Sequence, residues 1–372
     1  MRCSLPDSEG PYTSVGNQNY LAQRSPMAFK LVFHIFHSSP EENLSMAQIL
    51  SQVQILNDFF SGKVNDQNIG IPEEFRPLQA KPQFKFCLAS TDPSGNPTEG
   101  ITRHFISDLS LACKREFGMR SIMHKTLGGV DPWDPTQYIN VYVINRIQCP
   151  ALGEAVFPWK ARSDEDGIIL HYRAVGFTGT AADFYPFQVG KTLVHELGHY
   201  FGLFHLSNGL KDCTGDDLVA DTPTQSEEYF GCPQPPVITC GQTNMYMNFM
   251  SLVNDDCLHF FTIGQVERMN AMILQYRQGL DIGSCKVNDG DSLQRLNWIY
   301  DNRHWMIFHP EHKNWTAEIL LFDAMGRLIW KEDSKTATYR FIPYAHHVMI
   351  PGIFYAILHN NSEEKRFILV TP

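Results

Sequence analysis

The chain has 372 residues, of which 43% are hydrophobic and 19% charged, and a formal net charge of −10. That length can bury a substantial core and exceeds what one compact domain usually holds, so at least two units are expected. With no long basic run, nucleic acid is excluded as a partner, and no apolar stretch reaches the roughly eighteen residues of a membrane span.

The opening residues, Met-Arg-Cys-Ser-Leu-Pro-Asp-Ser-Glu-Gly, lack the apolar segment of a secretory signal. Nine cysteines, four of them between Cys213 and Cys257, nevertheless fit an oxidised exported protein better than a cytosolic one. A leader lying upstream, or already trimmed away, is therefore expected.

Phe29-Lys-Leu-Val-Phe-His-Ile-Phe-His37 has the apolar, β-branched content of a buried strand. Met46 to Phe60 repeats apolar residues at helical spacing, so the chain opens as an α/β layer. Further strands are predicted at Phe84 to Ala89, Tyr138 to Asn145 and Gly167 to Val175. The Ser90 to Pro97 loop between them is ordinary turn chemistry.

A helix is predicted from about Phe187–Lys191 to Gly202, and it carries His195-Glu-Leu-Gly-His-Tyr-Phe-Gly-Leu-Phe-His205. Positions four apart share a helix face, so His195 and His199 can offer two nitrogens to one metal, with Glu196 beside them to take a proton from water. Gly202 accepts the left-handed backbone that ends a helix, and the chain can then turn to bring His205 in as third ligand. With 15 histidines and 26 glycines in the chain, this set arises by chance on the order of once in ten thousand such chains. The bland alternative is a buried amphipathic helix with unconnected histidines.

A last helix of this part is predicted from Gly264 to about Gln278. The stretch before it is long, irregular and rich in cysteine, as functional or stapled loops are. Four cysteines allow three pairings. Asp212, Asp216, Asp217, Asp221 and Thr222 form an oxygen-rich run that reads either as a calcium site or as a solvated acidic loop.

Beyond Cys285 two hairpins are predicted, one over residues 317–331 turning at Met325-Gly326, the other from Ile353 to Val370 around Asn360. An all-β module fits this part.

The zinc motif with its glycine and third histidine resembles that of the metzincin metallopeptidases. The segments around it narrow the resemblance to the pappalysin group: Phe86-Cys-Leu-Ala-Ser-Thr-Asp-Pro, Glu99-Gly-Ile-Thr-Arg103, Gly153-Glu-Ala-Val-Phe-Pro, Asp166-Gly-Ile-Ile-Leu, Asp221-Thr-Pro, Gly231-Cys-Pro and Phe261-Thr-Ile-Gly-Gln-Val-Glu-Arg-Met269. These run in order over roughly residues 29 to 280. The resemblance implies an α/β (α+β) metzincin-like catalytic domain, residues 29–285, with a twisted, mostly parallel sheet and a zinc helix. Before it stands a segment, 1–28, read as a propeptide remnant; after it comes a small β-sandwich, 286–372.

It further implies a secreted zinc endopeptidase acting on protein or peptide substrates, with Zn2+ held by His195, His199 and His205 and Glu196 as general base. Met250 is placed as the methionine of a tight turn beneath the ligands, and Cys213–Cys240 and Cys232–Cys257 as two crossing disulfides. Calcium at Asp217, Asp221 and Thr222 is implied in the same way. Arg-Cys3-Ser-Leu-Pro-Asp is faintly similar to the thiolate switch of latent matrix metallopeptidases; an unengaged cysteine is the plainer reading. One position departs from the family, since Leu252 stands where a tyrosine often follows two residues after the methionine, and leucine donates no hydrogen bond.

Phe322-Asp-Ala-Met-Gly-Arg, Ile350-Pro-Gly-Ile-Phe-Tyr-Ala and Lys365-Arg-Phe-Ile-Leu-Val resemble the carboxy-terminal sorting domain read by the type IX secretion machinery of Bacteroidetes. That implies a secreted or outer-surface location. Two other functions stay open: a catalytically weakened zinc-binding or adhesion protein, against which an intact Glu196 argues, and a zinc hydrolase of a non-peptide carbonyl.

Overall fold

A computed structural model describes residues 26–60, 71–207, 212–283 and 285, and in the carboxy-terminal part 297–300, 305–308, 315–322, 328–337, 339–342, 352–359 and 364–371. The chain divides into two compact units, Met1–Cys285 and Lys286–Pro372.

The first unit is built on a six-stranded sheet. Its strands are β1 (Met27–His37), β2 (Phe84–Leu88), β3 (Ile101–Phe105), β4 (Ile139–Ile144), β5 (Gly153–Ala155) and β6 (Ile168–His171). β1 is central: its first half pairs with β2, its second half with β3 on the same side, and β4 lies on the other side, all parallel. β6 continues the parallel run beside β4, and β5 closes the sheet as an antiparallel edge, with Gly153 opposite Leu170.

β1 is buried along nearly its whole length because both faces are covered. Alternation sends Phe29 toward Phe84, Phe86 and Phe201, ring centroids 5.2–5.6 Å apart. The opposite face carries Phe36, which packs with Leu111, Met123, Tyr142 and Ile169. His34 on that face is buried but satisfied, with its ring nitrogens 2.8 Å from Thr102 Oγ1 and 3.0 Å from Asn140 Oδ1.

Helix α1 (Met46–Phe60) covers the Phe29 face. Its polar side is buried too, because it clamps the loop that leads from β6 into the next helix. Gln48 donates to the carbonyls of Val175 (3.0 Å) and Tyr172 (3.3 Å), Gln52 donates to that of Gly190 (3.0 Å), and the amides of Gly176 and Phe177 donate to Gln52 and Ser51.

That next helix, α2 (Lys191–Tyr200), begins at the late end of the predicted range. β6 is likewise shorter than predicted, because the chain enters a 3-10 turn at Tyr172. Helix α3 (Ile263–Tyr276) starts with a capping box, Thr262 accepting from the Gln265 amide while Gln265 reaches back to the Thr262 amide. Behind the helices, Arg277 spans three elements. It is ion-paired with Asp166 just ahead of β6, donates to the Val156 carbonyl at 3.1 Å and lies 3.6 Å above the Tyr200 ring at the end of α2.

The second unit contains strands β7 (Asn297–Tyr300), β8 (Trp305–Phe308), β9 (Trp315–Phe322), β10 (Leu328–Ala337), β11 (Tyr339–Ile342), β12 (Gly352–His359) and β13 (Glu364–Thr371). They form two antiparallel sheets, ordered β7–β8–β11 and β10–β9–β12–β13. Ile307 of the first sheet shares a buried cluster with Ala317, Ile319 and Leu358 of the second, as the facing layers of a sandwich do. The turns predicted at Met325-Gly326 and Asn360, like Cys3, lie outside the described residues.

Candidate metal centre

All ten residues of α2 are buried. One helical turn separates His195 from His199, which puts both on one face. The chain leaves the helix through Gly202, whose φ of 96° is left-handed. The amide of Leu203 donates to the Gly198 carbonyl and that of Gly202 to the His199 carbonyl, each at 2.9 Å, which closes the helix end. A Cβ on Gly202 would also stand 2.5 Å from Cγ of Met272 in α3, so conformation and space both call for glycine there. The turn brings His205 back to the helix.

The three Nε2 atoms stand 3.1 Å (His195 to His199), 3.1 Å (His195 to His205) and 3.0 Å (His199 to His205) apart. On their far sides, His195 Nδ1 donates to the Phe249 carbonyl and His199 Nδ1 to the Leu203 carbonyl, each at 2.7 Å. A carbonyl oxygen only accepts, so both Nδ1 atoms carry the proton and both Nε2 atoms present lone pairs. Burial holds His199 well below the usual imidazole range, and the neighbouring His205 adds to the effect. Glu228 Oε1 lies 3.2 Å from His205 Nδ1, within reach of electrostatic attraction but poorly aligned for a hydrogen bond. A carboxylate there favours the same tautomer.

Three lone pairs this close repel one another unless a cation lies among them. Zinc takes histidine nitrogens at about 2.0–2.1 Å in a tetrahedral array, which sets ligand nitrogens about 3.3 Å apart. The donor set therefore fits zinc. Among the described residues no other group of three metal-ligating side chains converges.

Glu196 is fully buried, and its carboxyl lies against the backbone of Gly153 in β5. Beneath α2, Met250 approaches so closely that a Cβ on Gly198 would stand 2.3 Å from its sulfur. The Met250 amide donates to Asn248 Oδ1 at 2.9 Å, and Asn248 exchanges two further hydrogen bonds, 2.8 and 3.0 Å, with Gln265 of α3. The methionine thus packs under the helix from a turn tied to α3. Leu252 is buried at 2% exposure and adds no hydroxyl. Phe157, just past β5, stands edge-on to His199 at 5.6 Å.

Cys213 bonds Cys240 and Cys232 bonds Cys257, bracing the loop between α2 and α3. Cys87 with Cys285 and Cys113 with Cys149, for which the sequence offered no pairing, are also bonded. The acidic run is occupied mostly by protein donors. Asp221 accepts from Thr262 Oγ1 (2.6 Å) and the Gly264 amide (2.9 Å) at the start of α3, where negative charge is favoured. Asp217 Oδ1 accepts from the Val219 amide (3.1 Å) and Thr222 Oγ1 (2.7 Å), while its Oδ2 is buried without a hydrogen bond. Asp212 and Asp216 accept from local amides in exposed turns.

Sequence reasoning did not single out Gly153, Phe157, Glu228 or the Phe249 carbonyl as site elements. A glycine inside a strand-like segment does signal close approach. A backbone carbonyl leaves no signal, and Glu228 sits in an irregular loop with no periodicity to read.

The Peptidase_M43 family model, described as pregnancy-associated plasma protein-A, matches residues 128–274. An "Extracellular metalloprotease" of Arthroderma gypseum is 30% identical over 246 residues, covering 63% of this chain and 75% of that protein. One of Sordaria macrospora is 34% identical over 293 residues, covering 76% and 86%. Among solved structures, Tannerella forsythia mature mirolysin in complex with a cleaved peptide aligns with a TM-score of 0.64 and 34% identity, over 70% of this chain and 97% of that one.

Proposed function

The chain belongs to the pappalysin-type metzincin metallopeptidases, and on that premise we propose that it cleaves an extended peptide laid along the free edge of β5, with Glu196 as the proton carrier. Zinc bound by His195, His199 and His205 supplies Lewis-acid polarisation of the peptide carbonyl and of a water molecule. The carboxylate of Glu196 takes the water proton and returns it to the departing amine nitrogen. Among the described residues β5 pairs with β6 on one side only, so its other side offers backbone donors and acceptors to a substrate strand.

A single juxtaposition carries this reading: a buried three-nitrogen site and a buried carboxyl set against an unpaired strand edge. Peptide-library digestion with measured zinc content, run on the protein and on its Glu196→Gln variant, tests it.

Extracellular work is supported by four disulfides and by relatives named for that location. The second unit we assign as a type IX sorting domain, on the motifs quoted above and its two-sheet core. Deleting residues 286–372 in the native host is then expected to hold the peptidase inside the outer membrane; unchanged release would leave this unit as a surface- or substrate-binding sandwich.

Calcium enters through Asp217. Burial pushes its carboxyl up to about 8, whereas the unfolded chain releases that proton near the ordinary Asp value of ~3.9. Between those values the unfolded state binds fewer protons, so this group makes stability fall as pH rises from about 4 to 8. A cation beside Asp217 reverses the effect by favouring the carboxylate. In zinc-containing buffer, added calcium is expected to raise the melting temperature at pH 8 more than at pH 5. Superimposable melts with and without calcium would remove it from this loop.

A further inference from the structure

We infer that Gly153 is a positioning residue for Glu196, the missing side chain at this edge-strand position setting where the carboxylate stands. The inference rests on the assignment of Glu196 as proton carrier.

A Cβ built on Gly153 falls 2.2 Å from Glu196 Oε1, 2.6 Å from Cδ and 2.7 Å from Cγ. The overlap runs along three bonded atoms of one side chain, so turning the carboxylate about its last bond does not clear it. Gly153 is not among the residues with left-handed backbone, and it pairs in ordinary antiparallel register with Leu170. Nothing in the strand itself therefore requires glycine. The requirement comes from Glu196.

Neither partner has an easy retreat. Glu196 is fully buried on a helix whose ten residues are all buried. The edge strand is fixed on both sides of Gly153: the Leu152 carbonyl accepts from the His171 amide at 2.7 Å, and Arg146 Nε donates to the Ala151 carbonyl at 3.0 Å. On the other side Glu154 is ion-paired with Arg115 and with Arg120, whose Nε lies 2.7 Å away, and the Val156 amide donates to Gly167 at 3.0 Å. An added methyl group must be absorbed by the carboxylate, which is pushed away from the strand edge on which the peptide is laid.

The test is a double-mutant cycle between Gly153→Ala and Glu196→Asp, read by kcat, KM, zinc content and melting temperature. Gly153→Ala alone is expected to lower kcat about 100-fold, as misplacement of a reacting group by about 1 Å does, with KM and zinc content unchanged. Aspartate is shorter by one methylene and draws the carboxyl back from the new methyl. In the Gly153→Ala background, Glu196→Asp is therefore expected to cost little or to restore rate, and to recover the melting temperature lost by Gly153→Ala.

Additive losses in both rate and melting temperature, or a full wild-type kcat for Gly153→Ala, would overturn the inference. If Gly153→Ala alone does not fold, recovery of folded, zinc-loaded protein in the double variant supports the clash, and failure of both variants overturns it. Full turnover by Glu196→Gln with zinc bound would overturn the proton-carrier assignment and this inference with it, whereas additivity removes only the role of Gly153.

Discussion

Replacing Glu196 with Gln is expected to lower kcat by about 10²–10⁴-fold, while the protein still binds one zinc and its KM moves little. The amide keeps the size and much of the hydrogen bonding of the carboxyl but cannot take a proton from water. The three ligands do not depend on it, since His195 and His199 are oriented by the carbonyls of Phe249 and Leu203 and His205 faces Glu228. Activity and metal content should therefore separate, which distinguishes loss of the base from collapse of the site. Full activity with zinc bound would remove Glu196 from the mechanism. If instead the unaltered protein and the variant both bind zinc and neither cleaves any peptide, the weakened binding-protein reading takes over, and Leu252 becomes the first residue to change.

The largest loss of stability is expected from Asp166→Ala, which strands the Arg277 guanidinium in the interior. Both side chains are only 2% exposed, and Arg277 reaches from Asp166 to the Val156 carbonyl and the face of Tyr200. Removing one partner of such a buried pair costs about 3–5 kcal/mol, because the remaining charge has neither water nor a counter-ion. In a unit of this size that corresponds to a fall in melting temperature of roughly 10 °C. Replacing both together, Asp166→Leu with Arg277→Met, removes the charge as well as its partner and should recover much of the loss. Melting curves of the single and double variants decide it: a single variant that melts within about 2 °C of the parent would show that the pair does not brace the zinc helix.

The catalytic motif was readable because a helix converts sequence spacing directly into direction, so two histidines four apart already specify a shared face. β1 and β4 were readable for a related reason, since a strand covered on both sides is apolar along most of its length. β5 offered no such pattern. Gly153-Glu154-Ala155 is held by the backbone of β6 and by Arg115 and Arg120, which face each other in a short hairpin more than thirty residues earlier, and such contacts leave no periodicity in the strand itself. The acidic run was legible as oxygen-rich, but its partners were not: Asp221 is committed to the first turn of α3, more than forty residues further along. Glu228 likewise meets His205 only because the braced loop folds back.

The clamp of α1 on the loop before α2 also imposes an order in time. Gln48 and Gln52 are synthesised long before the zinc helix they anchor, whereas the Phe249 carbonyl that orients His195 leaves the ribosome well after it. A partly made chain that lacks Phe249 has no carbonyl there to aim His195. The metal centre is thus one of the last things this unit completes, and an unfinished molecule has the motif without the geometry that would make it a peptidase.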